Sequence, residues 1–252
     1  MARNIFGISF ILHPKDKTIK ETAICLLSLL EILRKEDDIF SKFTLAAEEI
    51  KSVKFDLSEL EFNDAVEKLA QAILKTDLSS IRKYEKVENP TIDFSRDLGF
   101  TLLLQFFKNR KKRFSITGNI SSSRFSSLAI TYFPFEDSDY EFDWYFRMLK
   151  ITTEYFNPLF SGVNIIMSTY IGEYRDLKIK YPLGWITYFS DESKIEIPSD
   201  IGFEAEKTEK GVYLILTRED FTQNKEDYFS ARDKLLEAMQ KIKKNSANYS
   251  EP

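Results

Sequence analysis

Residues 100–133 read FTLLLQFFKNRKKRFSITGNISSSRFSSLAITYF. The run from Phe100 to Phe107 is almost continuously apolar. Residues 113–120 then place Phe114, Ile116, Gly118 and Ile120 on one face at a period of two, and residues 127–133 add a third apolar stretch. The connections, residues 109–112 and 121–126, are short enough for hairpins. This stretch predicts an antiparallel meander whose first strand, apolar on both faces, lies centrally in its sheet.

Outward from that centre, helical and strand periods alternate. Residues 4–12 read as a strand. Ile19, Ala23, Leu26, Leu27, Leu30 and Leu33 then recur at helical spacing. A second helix is expected after Asn63, a good N-cap residue, with Phe62, Val66, Leu69 and Ile73 on its apolar side. Residues 43–57 between these helices fit neither period cleanly. Downstream of the meander, Ser138 and Glu141 have capping-box spacing at the start of a helix carrying Phe142, Phe146, Leu149, Thr153 and Phe156, which Asn157-Pro158 stops. Strands are expected over residues 163–168 and 184–189, and a hairpin over 203–207 and 212–217. A last helix over 225–244 has Glu226 and Asp227 in its first turn and Lys241, Lys243 and Lys244 in its last, matching the helix dipole. No internal repeat or low-complexity linker divides the chain. The expected fold is a single α+β domain over residues 1–245, with a largely antiparallel mixed sheet flanked by amphipathic helices and a frayed polar tail over 246–252.

Composition narrows the chemistry. The chain has 252 residues, of which 43% are hydrophobic, enough for a core that needs no disulfide or metal staple. A single cysteine, Cys25, cannot form an intramolecular disulfide, and its apolar surroundings in sequence make it a buried spectator. Residues 5–12 are interrupted by Gly7 and Ser9 and read as a first strand, not a signal peptide, and no apolar stretch is long enough to cross a bilayer. The cytosol is the expected compartment. A formal net charge of −4 argues against a broad phosphate-binding field and suits a basic partner.

A search for catalytic groups finds few. His13 is the one histidine and is followed at once by Pro14, so a nucleophile–histidine pair has little to build on, and zinc sites made of His and Cys are out of reach. None of the glycines falls in a phosphate-binding loop, and no cofactor is expected. Asp191, Glu192 and Lys194 contain a Glu-x-Lys pattern of the kind metal-dependent nucleases use, and they define the alternative enzymatic reading. Residues 109–113, Asn-Arg-Lys-Lys-Arg, are the densest basic run and read as a solvated hairpin loop. If the strand ending at Phe133 and the strand over 163–168 are parallel, the loops after them emerge at one end of the sheet. Glu136, Asp137, Asp139 and Tyr140 from one loop would then join Tyr170, Glu173, Tyr174, Arg175 and Asp176 from the other in an acidic, tyrosine-bearing edge suited to binding a protein.

Three segments add a resemblance: Arg96-Asp97-Leu98-Gly99-Phe100, Gly184-Trp185-Ile186-Thr187-Tyr188-Phe189-Ser190, and Gly211 with the strand leading to Thr217-Arg218-Glu219-Asp220-Phe221. In this order and spacing the chain resembles the immunity protein 52 family of bacterial polymorphic-toxin systems, over roughly residues 94–239. Where that family would carry Trp-x-Pro, this chain has Phe156-Asn157-Pro158. The resemblance implies a non-enzymatic protein that neutralises a cognate toxin, commonly a nuclease delivered by type VI or contact-dependent secretion. It also implies that the partner is this toxin, with a basic active-site cleft, and not nucleic acid or membrane. A structural subunit of a secretion assembly is the other alternative, and self-association would mark it.

Overall fold

A computed structural model of the chain describes residues 5–46, 52–124, 126–133, 142–166, 181–219, 221 and 225–246. The fold is α+β, with ten strands and four α-helices among the described residues, and every strand pair whose register is described is antiparallel. The chain packs as two compact units, one of residues 11–133 and the other of residues 1–10 with 134–252. The boundary falls inside the first strand, β1 (Ile5–Leu12). No helix of the described residues is long and apolar enough to cross a membrane.

In the unit of residues 11–133 the strands run in the order β3-β2-β4-β5-β6. The expected meander is β4 (Phe100–Lys108), β5 (Lys111–Ile120) and β6 (Ser126–Tyr132). The ambiguous stretch forms two strands of four residues each, β2 (Lys42–Leu45) and β3 (Val53–Asp56), which pair with each other and dock β2 onto β4. The β4–β5 connection is tighter than the sequence suggests. Only Asn109 and Arg110 lie in the turn, both at positive φ (52° and 62°), so Lys111, Lys112 and Arg113 belong to β5 and not to a loop.

A central position for β4 is met, but burial on both faces is not. Phe100, Leu102, Leu104 and Phe106 are buried, whereas Thr101 and Phe107 are exposed and Leu103 and Gln105 are half-buried. The buried face carries one aromatic residue per strand in register: Phe55 opposite Phe43, Phe43 opposite Phe106, Phe106 opposite Phe114, and Phe114 opposite Tyr132. Neighbouring ring centroids in this row lie 4.6, 5.8 and 5.2 Å apart for Phe55–Phe43, Phe43–Phe106 and Phe114–Tyr132. Phe40, from the 3₁₀ turn Asp38–Ser41, bridges the remaining gap at 5.1 Å from Phe106 and 5.2 Å from Phe114.

Helix α1 (Ile19–Glu36) begins with a full capping box: Thr18 Oγ1 accepts from the Glu21 amide, and the Glu21 carboxylate accepts from the Thr18 amide. Its buried stripe includes Ala23, Leu26, Leu27, Leu30 and Leu33. Helix α2 (Phe62–Ser80) starts one residue before Asn63, so Glu61 holds the N-cap position and makes no side-chain cap bond. Phe62 is 39% exposed, while Val66, Leu69 and Ile73 are buried. Past Ser80 the helix loosens into a π turn, Ile81–Glu85, which ends at Lys86 in the left-handed region.

In the other unit the order is β1-β7-β8-β10-β9, with β7 (Phe160–Ile166), β8 (Ile186–Ser190), β9 (Glu204–Lys207) and β10 (Gly211–Ile215). All five residues of β8 are buried, as a strand covered on both faces requires. Helix α3 (Phe142–Phe156) ends at Asn157, at φ 46°, immediately before Pro158. Helix α4 (Lys225–Asn245) buries Ala231, Leu235, Met239 and Ile242. Ser246, expected at the start of the frayed tail, is buried, and its amide donates to the Ile242 carbonyl.

The least comfortable group in the core is Asp77, buried near the end of α2. Burial pushes its carboxyl up to about 6, against the pull of Arg96, which burial also encloses. Arg96 donates to Ser80 Oγ at 3.3 Å and pairs with Glu85 at 3.5 Å. Between its ordinary value of 3.8 and about 6, the folded state keeps a proton on Asp77 that the unfolded chain releases. Stability should therefore fall as pH rises through that window and level off above it. Asp77→Asn is expected to stabilise the protein by roughly 1–3 kcal/mol at neutral pH and to remove that decline. Urea melts of both proteins between acid and neutral pH check this, and a less stable Asn variant would mean that attraction to Arg96 outweighs burial.

Candidate functional site

The residues proposed for the acidic edge, Glu136, Asp137, Asp139, Tyr140, Tyr170, Glu173, Tyr174, Arg175 and Asp176, all lie outside the described residues, as does the Ser138–Glu141 capping box.

The alternative enzymatic set is described. Asp191 and Glu192 lie with Ser193 in a 3₁₀ turn that follows β8, and Lys194 closes it at φ 53°. Both carboxylates and Lys194 are exposed. The turn is held by its own backbone: the Lys194 amide donates to the Asp191 carbonyl at 3.1 Å, the Asp191 amide to the Lys210 carbonyl at 2.9 Å, and Ser193 Oγ to the Ser190 carbonyl at 2.7 Å. The Glu-x-Lys pattern therefore sits on a solvated turn and not on a strand. Among the described residues no group of three or more His, Cys, Asp or Glu side chains could hold a metal ion. Cys25 is half-buried on α1, more open than its apolar neighbours in sequence implied.

The three segments that carry the family resemblance have clear mechanical roles. In the first, Gly99 adopts φ +68°, and a Cβ there would lie 2.4 Å from the Ile120 carbonyl oxygen. The turn around it is stapled to the β5–β6 connection, since Asn119 Nδ2 donates to the Leu98 carbonyl at 2.8 Å and Ser122 Oγ to the Asp97 carbonyl at 2.7 Å. In the second, a Cβ on Gly184 would lie 2.3 Å from both the Val163 carbonyl and the Asn164 side chain. That approach lets the Trp185 amide donate to the Val163 carbonyl at 2.8 Å and begin the β7–β8 pairing. Trp185 Nε1 donates to the Thr217 carbonyl at 2.8 Å, which ties the second segment to the third. Its ring meets Phe142, Tyr145 and Phe221 at 5.6, 5.9 and 5.6 Å. In the third, a Cβ on Gly211 would lie 2.2 Å from the Phe189 carbonyl.

Charged groups close over this aromatic cluster. Arg218 stands over the Phe142 ring at 5.4 Å and pairs with Glu204, and Lys150 stands over Phe146 at 4.2 Å and pairs with Glu206. The Arg218 hydrogen bond holds the Glu204 carboxyl below its ordinary range. Burial pushes the Tyr213 hydroxyl well above the usual tyrosine value, which leaves it a neutral core group.

No protein-family model matches the chain, and no curated protein matches it. Among solved structures, a Pseudomonas aeruginosa type VI secretion system (T6SS) protein aligns with a TM-score of 0.47 at 10% identity, covering 84% of this chain and 68% of that one. At that score and identity the likeness carries no functional information.

The steric reading of Gly184 gives a direct check. Gly184→Ala should cost roughly 1–3 kcal/mol, because the new methyl must displace a backbone carbonyl rather than a flexible side chain. Gly202→Ala, with open space around it and only its positive φ against it, should cost less. Equilibrium denaturation of the two variants makes the comparison, and equal losses would remove the close-approach account.

Proposed function

We propose that this chain is an immunity protein that binds and neutralises a cognate toxin, a nuclease delivered between bacteria. The observation that supports this reading best is the use made of the segments through which the chain resembles that family. Gly99, Gly184 and Gly211 admit carbonyl oxygens where a side chain would stand, and Trp185 joins two of the three segments. These are positions that preserve a fold. A family recognised by such positions keeps a scaffold while its contact surface follows the partner, as expected of a binding protein and not of an enzyme, whose family marks include reacting groups. The metal-nuclease alternative is weakened by the solvated turn that holds Asp191, Glu192 and Lys194. Unlimited stacking of copies through the sheet is disfavoured by β9, a four-residue strand at the end of the order that presents Glu204, Glu206 and Lys207.

Neutralisation would follow from occlusion. A nuclease has to attract a polyanion, so its cleft is basic, and the acidic residues Glu136, Asp137, Asp139, Glu173 and Asp176 are suited to steer toward it. The test is to purify the chain with the product of a toxin-bearing reading frame beside its own. Nuclease activity should fall in proportion to added chain and reach its floor at a fixed stoichiometry. Charge reversal at Asp137, Asp139, Glu173 and Asp176 should slow association at low salt, whereas Lys194→Ala should have no effect. Magnesium-dependent cleavage by the chain alone, abolished by Lys194→Ala, would replace this reading with the enzymatic one.

A further inference from the structure

The toxin-binding reading leaves open which described surface meets the partner, and the charge distribution singles one out. Residues 98–135 contain neither Asp nor Glu, although the chain has 40 of these, while Lys108, Arg110, Lys111, Lys112, Arg113 and Arg124 all fall within them. This stretch folds as β4, β5 and β6, so a bias along the sequence becomes a bias on one part of a sheet.

The alternation that buries the aromatic row sends the intervening residues to the opposite face. Read across the registers, that face carries Thr44, Gln105, Ser115 and Thr131 in one row, with Thr101 opposite Asn119 in another. Between these rows lie Leu103, Thr117 and Ala129, and Ser115 is buried, so the face mixes polar and apolar groups. At its end stands Phe107, 44% exposed and opposite Lys112.

Among the described residues the β4–β5 hairpin continues past the last paired residues of β2 and β6, with one further bond from the Phe133 amide to the Arg113 carbonyl at 2.8 Å. The described pairing of β2 with β4 ends at Phe43 and Phe106, and that of β6 with β5 ends at Phe114 and Tyr132. A register shift falls between Phe106 and Phe107. The hairpin's tip presents exposed Lys108, Arg110 and Lys111. Lys108 and Arg110 have no ion-pair partner among the described residues. Lys112 is placed differently, with its ammonium 4.0 Å from the Phe133 ring centroid. Arg110 occupies a left-handed turn position where glycine is the unstrained choice, so a cation stands at the tip at some conformational cost.

We propose that this hairpin docks on an acidic patch of the partner toxin, with Phe107 as the apolar anchor and Lys108 and Arg110 facing carboxylates. An exposed phenylalanine and an arginine on one hairpin are residue types enriched at interfaces. A protein is favoured over nucleic acid for two reasons. The net charge of −4 repels a polyanion at long range, and Phe107 is a single ring, not the succession of rings on which bases stack. The inference rests on the toxin-binding reading and extends it, because it assigns a contact to described residues that reading does not use.

The test measures affinity for the purified toxin by calorimetry, at about 50 mM and about 300 mM NaCl. Lys108→Glu/Arg110→Glu should weaken binding about tenfold or more at low salt, with the deficit shrinking at high salt. Arg110→Gly controls for folding: it relieves the left-handed strain, so it should melt no lower than the wild type and still bind more weakly. Replacing partner carboxylates with Lys should restore binding to the double variant. Wild-type affinity in the double variant overturns this surface and leaves the immunity reading standing, whereas failure of the wild-type chain to bind the toxin overturns both. Tight binding of a single-stranded 20-nucleotide DNA (about 20 as a probe length), lost in the double variant, would make the occupant nucleic acid and overturn the proposal.

Discussion

The unit of residues 11–133 depends on the row of rings from Phe55 through Phe43, Phe106 and Phe114 to Tyr132, one from each of five strands and all in register. Side chains alternate with a period of two, so a slip of one residue anywhere would send one ring to the opposite face and break the row on both sides. Each ring contact adds about 0.5–1.5 kcal/mol beyond area burial, and the packing of Phe40 against Phe106 and Phe114 closes the one wide step. The two shortest strands gain most. Four residues of β2 or β3 are too few to set their own pairing, and Phe43 and Phe55, stacked within 5° of parallel, set it for them.

The other unit also sets register with rings, Phe160 opposite Phe189 and Tyr188 opposite Tyr213, and adds close backbone contacts. At Gly184 and Gly211 a carbonyl of the neighbouring strand occupies the space of the missing side chain. Such contacts tolerate almost no variation, whereas an aromatic row accepts any large ring. Over β9 and β10 the surface is closed by cations that lie on rings and pair with carboxylates, so the aliphatic parts of Lys150 and Arg218 shield the cluster while their charges stay solvated.

Much of this was legible in the sequence, for physical reasons that also set where reading failed. The meander could be read because alternation and short connections act locally. The exposure of Phe107 could not, because an apolar run does not say which of its two faces is covered. Asn63 looked like a cap by residue type, but cap position is fixed by where the chain turns, and that turn comes at Glu61. The Thr18–Glu21 capping box was written in the sequence and stands at the start of α1, where the apolar stripe drew attention instead. The basic run at residues 109–113 was read as one solvated loop because composition gives no register. The structure divides it into a two-residue turn and the start of a strand, and only that division separates the exposed tip from buried Arg113.

Net charge misleads in the same way. It describes the field beyond roughly one Debye length, about 8 Å at physiological salt, and at that range this chain is an anion. At contact range the distribution governs, and a stretch of 38 residues (98–135) without a carboxylate cannot present an acidic surface of its own. A chain built this way can discourage polyanions at a distance and still offer cations to a partner that has already arrived. On the toxin-binding proposal, association and discrimination would fall to different parts of the chain: carboxylates outside the meander would shape the approach, and the hairpin would decide which surfaces fit once the approach is made.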